Sequence, residues 1–82
     1  MDNTEFKPTT VSIQVEMKKV NSSNIQAIGY KDWNQELYVQ YNSGTYIYHG
    51  VELELYEGLM KAESKGRFLN ENIKSKYKFT KA

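Results

Sequence analysis

The chain has 82 residues, a formal net charge of +1, no cysteine and one histidine. This length predicts a single domain, and the composition excludes disulfides, thiolate metal sites and histidine-rich metal sites. No apolar run approaches the roughly 18 residues of a membrane span, so we expect a cytoplasmic protein with no membrane partner. Because a core of this size rarely supplies more than about 3–5 kcal/mol of stability, a partner chain is an expected source of support.

The N-terminal part of the chain is predicted to contain a flexible lead-in and then a strand. Residues 1–9 show no periodicity, and Pro8 blocks regular pairing. The single domain is expected over residues 10–79 and begins with an alternating stretch, in which the apolar residues are Val11, Ile13, Val15 and Met17. This alternation predicts a half-buried strand over residues 10–18. The strand either joins the sheet or pairs with its own copy across a two-fold axis, and we expect a homo-oligomer formed through it.

The middle of the chain predicts an antiparallel meander. Ile25–Tyr30 is rich in β-branched and apolar residues, and Leu37–Tyr41 alternates apolar and polar positions. The turn sequence Asn42-Ser43-Gly44 then separates this strand from a returning strand at Thr45–His49. With the N-terminal segment, the sheet is predicted to have three or four strands.

The register of the hairpin decides which face of the sheet carries Tyr46 and Tyr48. A two-residue Ser43-Gly44 loop would pair Tyr46 with Tyr41 and Tyr48 with Val39, which places both tyrosines on the face of the other large apolar side chains. A three-residue loop would turn both to the opposite face, since a slip of one residue exchanges the faces. The first register is favoured because it gathers five large side chains on one face, but the second remains open.

After the meander the apolar period changes to that of a helix, with apolar side chains at Val51, Leu55, Leu59 and Ala62. Gly58 is expected to permit close packing of this helix on the sheet, and Gly66 is expected to end it. A second short helix is predicted over 70–77, with Asn70 as its N-cap, and residues 80–82 are predicted to fray. The predicted fold class is therefore α+β, with a meander followed by two short helices on one face.

Residues 20–79 resemble the KTSC domain, a module found at the C-terminus of some lysyl-tRNA synthetases and alone in small bacterial and phage proteins. The resemblance rests on Ser22-Ser23-Asn24-Ile25, Ile28-Gly29-Tyr30, Leu37-x-Val39, Tyr46-Ile47-Tyr48, Gly50-Val51, Ala62-x-Ser64-Lys65-Gly66-Arg67-Phe68, Asn70, Ile73 and Tyr77. It implies a compact domain without established catalytic activity, for which RNA binding has been suggested. The chain departs from the family pattern at Lys31, where an acid is common, and in its additional strand over 10–18.

The residues do not predict an enzyme. A nucleophile needs a base and an orienting group within reach, and His49, the single imidazole, has no serine and acid at triad spacing. The three acids Glu52, Glu54 and Glu57 lie at a helix start, where they complement the helix dipole. No phosphate loop, metal-ligand cluster or cofactor motif is present, so no catalytic residue, metal or cofactor is predicted.

Ligand binding is predicted from two features. The Tyr46-x-Tyr48 pair could stack on bases, or it could simply pack in the core. The segment that joins the two helices could present cations and backbone N–H groups to an anion, or it could be a solvated helix end. The candidate ligand-binding residues are Tyr46, Tyr48, Ser64, Lys65, Gly66, Arg67, Asn70, Lys74 and Tyr77.

The charge distribution suggests what the ligand could be. Residues 61–82 carry seven bases and two acids, a net charge of +5, whereas residues 1–60 carry eight acids and four bases, a net charge of −4. A basic end attracts phosphates, so RNA, another nucleic acid or an anionic nucleotide is the expected ligand. The alternative is a protein-interaction or inhibitor module of phage or bacterial origin, anchored by an aromatic such as Trp33 or acting by sequestering a nucleotide signal. A small enzyme is the third hypothesis.

Overall fold

The computed structural model describes residues 15–82 and contains an antiparallel sheet of five strands that follow the order of the chain. The strands are β1 (Lys18–Lys19), β2 (Ile25–Lys31), β3 (Glu36–Tyr41), β4 (Gly44–His49) and β5 (Phe79–Lys81). Between β4 and β5 lie helix α1 (Leu53–Lys61) and helix α2 (Lys65–Leu69), and α2 continues as a π-helical turn (Asn70–Lys74). The predicted α+β fold is confirmed, with one strand more than the largest expected number.

The additional strand is β5, so the prediction of a frayed end over 80–82 is wrong. Phe79 lies opposite Tyr48, and Lys81 lies opposite Tyr46. The amide of Ala82 donates to the Thr45 carbonyl at 2.8 Å. The phenylalanine ring packs on the tyrosines of β4, and this contact outweighs the solvation of the surrounding lysines.

Only a small part of the predicted N-terminal strand over residues 10–18 is a strand among the residues that the structure describes. Residues 1–14, which include the predicted lead-in, lie outside the described part of the chain. Within the described part, Val15–Met17 is not a strand, and pairing begins at Lys18, opposite Ile28. The segment instead crosses Gly29, where an added Cβ atom would lie 2.7 Å from the Met17 sulfur. Gly29 thus permits this close approach.

The hairpin between β3 and β4 has a register that differs by two residues from the favoured prediction. Tyr46 pairs with Val39 and Tyr48 pairs with Leu37, so the two-residue loop is Asn42-Ser43. The positive φ of Gly44, 144°, occurs at the first residue of β4 and not inside the loop. The predicted pairs are wrong, but their face is right, because a shift of two residues returns every side chain to the same side.

The core lies between the helices and the sheet face that carries Leu37, Val39 and Tyr48, which we call the inner face. Residues exposed by 2% or less form this core, and they are Ile25, Ile28, Leu37, Val39, Tyr48, Val51, Leu59, Leu69 and Ile73. Strand β3 contributes the alternate residues Leu37 and Val39, as the period of two requires. A register shift between Ile25 and Ala27 allows β2 to contribute both Ile25 and Ile28. None of the helices within residues 15–82 has the length and apolar character that a bilayer crossing needs.

The boundary between the helices differs from the prediction. Helix α1 ends at Lys61, and Ser64 is the N-cap of α2, where its hydroxyl accepts the Arg67 N–H. Gly66 therefore lies inside α2 and is not a helix stop, and Asn70 opens the π-helical turn and is not an N-cap. Gly58 does permit a close approach, but to Phe68 of α2 and not to the sheet, since an added Cβ atom would meet that ring at 3.0 Å.

Candidate functional site

Two adjoining concavities lie at the end of the sheet where β2 begins and β3 ends. The larger, which we call the amide groove, has a volume of about 290 Å³ and runs between this end and helix α2. The smaller, which we call the tyrosine cleft, has a volume of about 140 Å³ and is walled by Tyr46 and Tyr48. Tyr41, Ser43 and Lys74 line both, so the two concavities form one continuous candidate site.

The wall of the tyrosine cleft is a packed aromatic cluster. The rings of Tyr41 and Tyr46 meet edge to face with centroids 5.4 Å apart, and Phe79 of β5 lies 5.0 Å from Tyr46. The hydroxyls of Tyr41 and Tyr48 form a hydrogen bond of 2.9 Å. Tyr48 is 2% exposed, whereas Tyr41 and Tyr46 are partly exposed. A ligand can therefore reach the rings of Tyr41 and Tyr46, while Tyr48 supports them from the core.

Burial controls the ionisation of these tyrosines. It raises the pKa of Tyr41 well above its usual value, and the hydrogen bond between the hydroxyls of Tyr41 and Tyr48 raises it further. Burial also raises the pKa of Tyr48, although the bond to Tyr41 acts in the opposite direction. Both hydroxyls stay protonated at neutral pH, so the wall of the cleft carries no negative charge there.

Two lysine ammonium groups lie over the cluster. The Lys74 nitrogen is 5.7 Å from the centroid of the Tyr41 ring, and the Lys81 nitrogen is 5.8 Å from that of Tyr46. Both distances fall within the range of cation–π attraction. Since Lys74 lines both concavities and the tyrosines remain neutral, the site is electropositive and suits an anionic ligand.

Amide side chains surround the mouth of the amide groove. Asn42 is held in place, because its Oδ1 accepts from Gln26 at 3.1 Å and its Nδ2 donates to the Ser23 carbonyl at 3.3 Å. Asn24 and Asn70 also line the groove and are exposed. Amides both donate and accept hydrogen bonds, so the groove offers polar partners of both kinds beside one cation.

The candidate residues predicted from the sequence fall into two groups. Those that line one or both concavities are Tyr46, Tyr48, Gly66, Asn70 and Lys74. Ser64, Lys65, Arg67 and Tyr77 do not line either concavity.

The four outlying residues have other contacts. Ser64 caps α2, and Tyr77 packs against the core. The Lys65 ammonium donates to the Ala62 carbonyl at 3.0 Å. Arg67 is highly exposed and pairs with Glu71 at 3.1 Å. The turn between the helices therefore does not present the expected pair of cations to a concavity, and Lys74 supplies the charge at the site.

The sequence analysis missed six lining residues because it treated them as turn and core residues, and they are Asn24, Ile25, Tyr41, Asn42, Ser43 and Leu69. Antiparallel pairing places Ile25 opposite Tyr41, so the polar segments that flank these two residues meet at one end of the sheet. The presence of two polar turns at the same end of the predicted meander could have indicated the amide groove from the sequence.

His49 lies on the outer face of the sheet, opposite the core. Its Nε2 is 2.8 Å from the Thr80 hydroxyl, and its Nδ1 is 3.6 Å from a carboxylate oxygen of Glu36. Thr80, His49 and Glu36 are thus arranged in the order of a nucleophile, a base and an acid. The 3.6 Å between His49 and Glu36 is too long for a hydrogen bond, however, and the three residues line neither concavity. Within residues 15–82 there is also no cluster of three potential metal ligands. The absence of catalysis stays a prediction.

Comparisons with known proteins identify the family. The model of the KTSC domain matches residues 21–77. A protein of Tsukamurella paurometabola is 40% identical over 63 residues, which are 76% of this chain and 94% of that protein. An uncharacterized protein of Stutzerimonas stutzeri is 36% identical over 64 residues, or 74% of this chain and 90% of that protein.

A solved structure agrees with this match. The crystal structure of a KTSC domain protein from Yersinia pestis superposes with a TM-score of 0.82 at 38% identity and covers 84% of this chain and 99% of that one. Sequence and fold thus lead to the same family, and the chain belongs to the KTSC domain family.

Proposed function

We propose that the chain is a non-catalytic binding module whose ligand is single-stranded RNA or an anionic nucleotide held in the amide groove and the tyrosine cleft. The observation that supports this most is the position of Lys74, which lines both concavities and lies 5.7 Å from the Tyr41 ring. A nucleotide carries a phosphate and a flat base, and this arrangement offers a cation beside partly exposed aromatic rings.

The size of the site limits the ligand to a short element. Ligand sites of about 300–1,000 Å³ hold drug-sized molecules, and the amide groove has about 290 Å³. One nucleotide, or one unstacked nucleotide of a longer strand, fits this volume. Tyr46 and Tyr41 would contact the base, and Asn24 and Asn70 would contact its polar edge or the sugar.

The number of cations at the site limits the salt dependence. Lys74 and Lys81 are the two ammonium groups over the tyrosine cluster. Each phosphate of a single strand that a protein cation neutralises contributes about −0.7 to the slope of log affinity against log salt concentration. We therefore expect a slope of about −1.4 and not the steeper slope of a long basic surface.

The test measures binding of AMP, GMP and a labelled mixed-sequence RNA of eight nucleotides by calorimetry and fluorescence anisotropy. Lys74→Ala should weaken binding by about tenfold or more, because it removes a hydrogen bond to a charged group of about 1.5–3 kcal/mol. Lys76→Ala removes the same charge outside both concavities and should change the affinity less than twofold. Equal losses in the two variants, or no binding of any of these probes at millimolar concentration, would refute the proposal.

A second comparison distinguishes this site from the turn between the two helices, which the sequence suggested as the binding site. The double variant Lys65→Ala/Arg67→Ala removes two charges, but neither residue lines a concavity, so it should weaken binding less than Lys74→Ala alone. A larger loss in the double variant would place the ligand at the turn between the helices.

Trp33 favours a second candidate function, the binding of a protein. This side chain is 72% exposed in the turn between β2 and β3, with the Lys31 ammonium 5.6 Å from its ring. Exposed tryptophans are frequent anchors of protein interfaces. Affinity capture from the native host with the wild type and Trp33→Ala tests this function, which requires a partner that the variant loses. Self-association through residues 10–18 stays a separate prediction, since most of that segment lies outside the described residues.

A further inference from the structure

The sheet has an open edge at β5. The amide of His49 donates to the Lys78 carbonyl at 2.9 Å, and the amide of Ala82 donates to the Thr45 carbonyl at 2.8 Å. Backbone groups of successive residues point to opposite sides of a strand, so the N–H and C=O groups of Phe79 and Lys81 point away from β4. Within residues 15–82 no strand pairs with this side of β5.

An apolar side chain lies beside these free backbone groups. Phe79 belongs to the inner face, where it packs against Tyr46 and Tyr48, yet it remains 52% exposed. A further strand at this edge would place side chains next to the exposed part of the ring. The edge therefore offers both backbone hydrogen bonds and a partly covered aromatic contact, the two components of peptide recognition by strand addition.

The charge of the edge indicates what can occupy it. Residues 74–82 contain four lysines and no acid. A second copy of β5 would bring lysines against lysines, and edge lysines are a common protection against such self-pairing. A three-residue edge also buries far less than the roughly 1,000 Å² that a stable dimer needs. Charge complementarity instead favours an extended segment that carries acidic residues.

We propose that the β5 edge binds an extended acidic peptide segment of another protein by strand addition. In an antiparallel arrangement, a glutamate of the peptide lies opposite Lys81, and a β-branched residue lies opposite Phe79. A second glutamate lies opposite Lys78. The backbone groups of Phe79 and Lys81 exchange hydrogen bonds with the peptide. Lys81 and Phe79 also contact Tyr46 of the proposed nucleotide site, but the hydrogen bonds of strand addition come from the backbone of β5, and Lys74 takes no part in them.

The probe is a blocked peptide with the sequence Ac-Thr-Glu-Thr-Val-Glu-NH2, added to the ¹⁵N-labelled full chain and followed by NMR. The amide signals of Phe79 and Lys81 should shift and saturate. The matched peptide Ac-Thr-Lys-Thr-Val-Lys-NH2 should bind at least tenfold more weakly. Equal binding of both peptides, or shifts confined to residues outside β5, would overturn the proposal.

The matched pair of variants is Lys81→Pro and Lys81→Ala. Both remove the charge, but only proline removes the N–H that points away from β4, and the bonds from β5 to β4 are retained. Lys81→Pro should bind the acidic peptide about fivefold more weakly than Lys81→Ala, which is the factor for one lost hydrogen bond of about 1 kcal/mol. Equal affinities would show that charge alone attracts the peptide, which contradicts strand addition.

Two further measurements separate this surface from its alternatives. If the Phe79 and Lys81 signals shift with protein concentration in the absence of peptide, the edge pairs with a second copy and the proposal is wrong. Lys74→Ala should leave peptide affinity within twofold of the wild type, whatever it does to nucleotide binding. Failure of the nucleotide proposal and failure of this one are therefore seen in different experiments.

Discussion

Replacing Tyr41 or Tyr48 by phenylalanine removes the same hydrogen bond of 2.9 Å between the two hydroxyls, and each change should destabilise the protein. Tyr41→Phe leaves the hydroxyl of Tyr48, which is 2% exposed, without its partner. Tyr48→Phe leaves the hydroxyl of Tyr41, whose pKa is raised by burial, without its partner. A buried unpaired polar group costs about 1–3 kcal/mol, so we expect a loss in this range from each variant.

The double variant Tyr41→Phe/Tyr48→Phe completes the cycle. Because it leaves no unpaired hydroxyl, it should be no less stable than Tyr41→Phe alone, which corresponds to a coupling energy of about 1 kcal/mol. Urea unfolding followed by circular dichroism and by Trp33 fluorescence measures each loss, and 1 kcal/mol moves the midpoint of a small domain by about 1 M. Losses that add within about 0.3 kcal/mol, or a single variant as stable as the wild type, would refute the reasoning.

Three further predictions concern stability. Gly29→Ala should lower the free energy of unfolding by about 1–3 kcal/mol and shift the methyl signal of Met17, because an added Cβ atom would lie 2.7 Å from its sulfur. Ser64→Ala should cost about 0.5 kcal/mol in urea unfolding, at the low end for a lost N-cap, since its capping bond is exposed and 3.4 Å long. Burial raises the pKa of Tyr41, so the folded state holds this proton more tightly than the unfolded state. The free energy of unfolding should therefore fall as the pH rises above about 10, and it should fall less steeply in Tyr41→Phe.

The face of each strand was easier to predict than its partner. Side chains that are an even number of positions apart in a strand point to the same face of the sheet. The alternating apolar residues Leu37, Val39 and Tyr41 therefore show directly which residues of β3 face the core. The partner depends on the loop, and the turn-forming residues Asn42, Ser43 and Gly44 do not decide between the loops Asn42-Ser43 and Ser43-Gly44. The structure chooses the first of these, so the prediction placed Tyr46 and Tyr48 on the correct face beside the wrong partners.

The helix boundaries and the last strand were harder because local signals competed there. Gly66 is a common residue just after a helix, and Ser64 is a common residue just before one. The burial of Leu69 and the packing of Phe68 against the core decide in favour of a helix that begins after Ser64. Likewise, the lysines near the C-terminus indicated a solvated tail, whereas the contact of Phe79 with the tyrosines of β4 produces a strand. Tertiary contacts of this kind are not visible in a local window.

The candidate site depends on the π-helical turn that follows α2. Gly66, Asn70 and Lys74 are spaced four residues apart and all line the amide groove, while Leu69 and Ile73 are fully buried in the core. In an α-helix, residues four apart drift by about 40° around the axis at each step. The π-helical turn over Asn70–Lys74 holds more residues per turn, so its drift has the opposite direction and offsets that of the preceding turn. This geometry keeps Lys74 above the groove without removing Ile73 from the core, and no local pattern of the sequence indicated it.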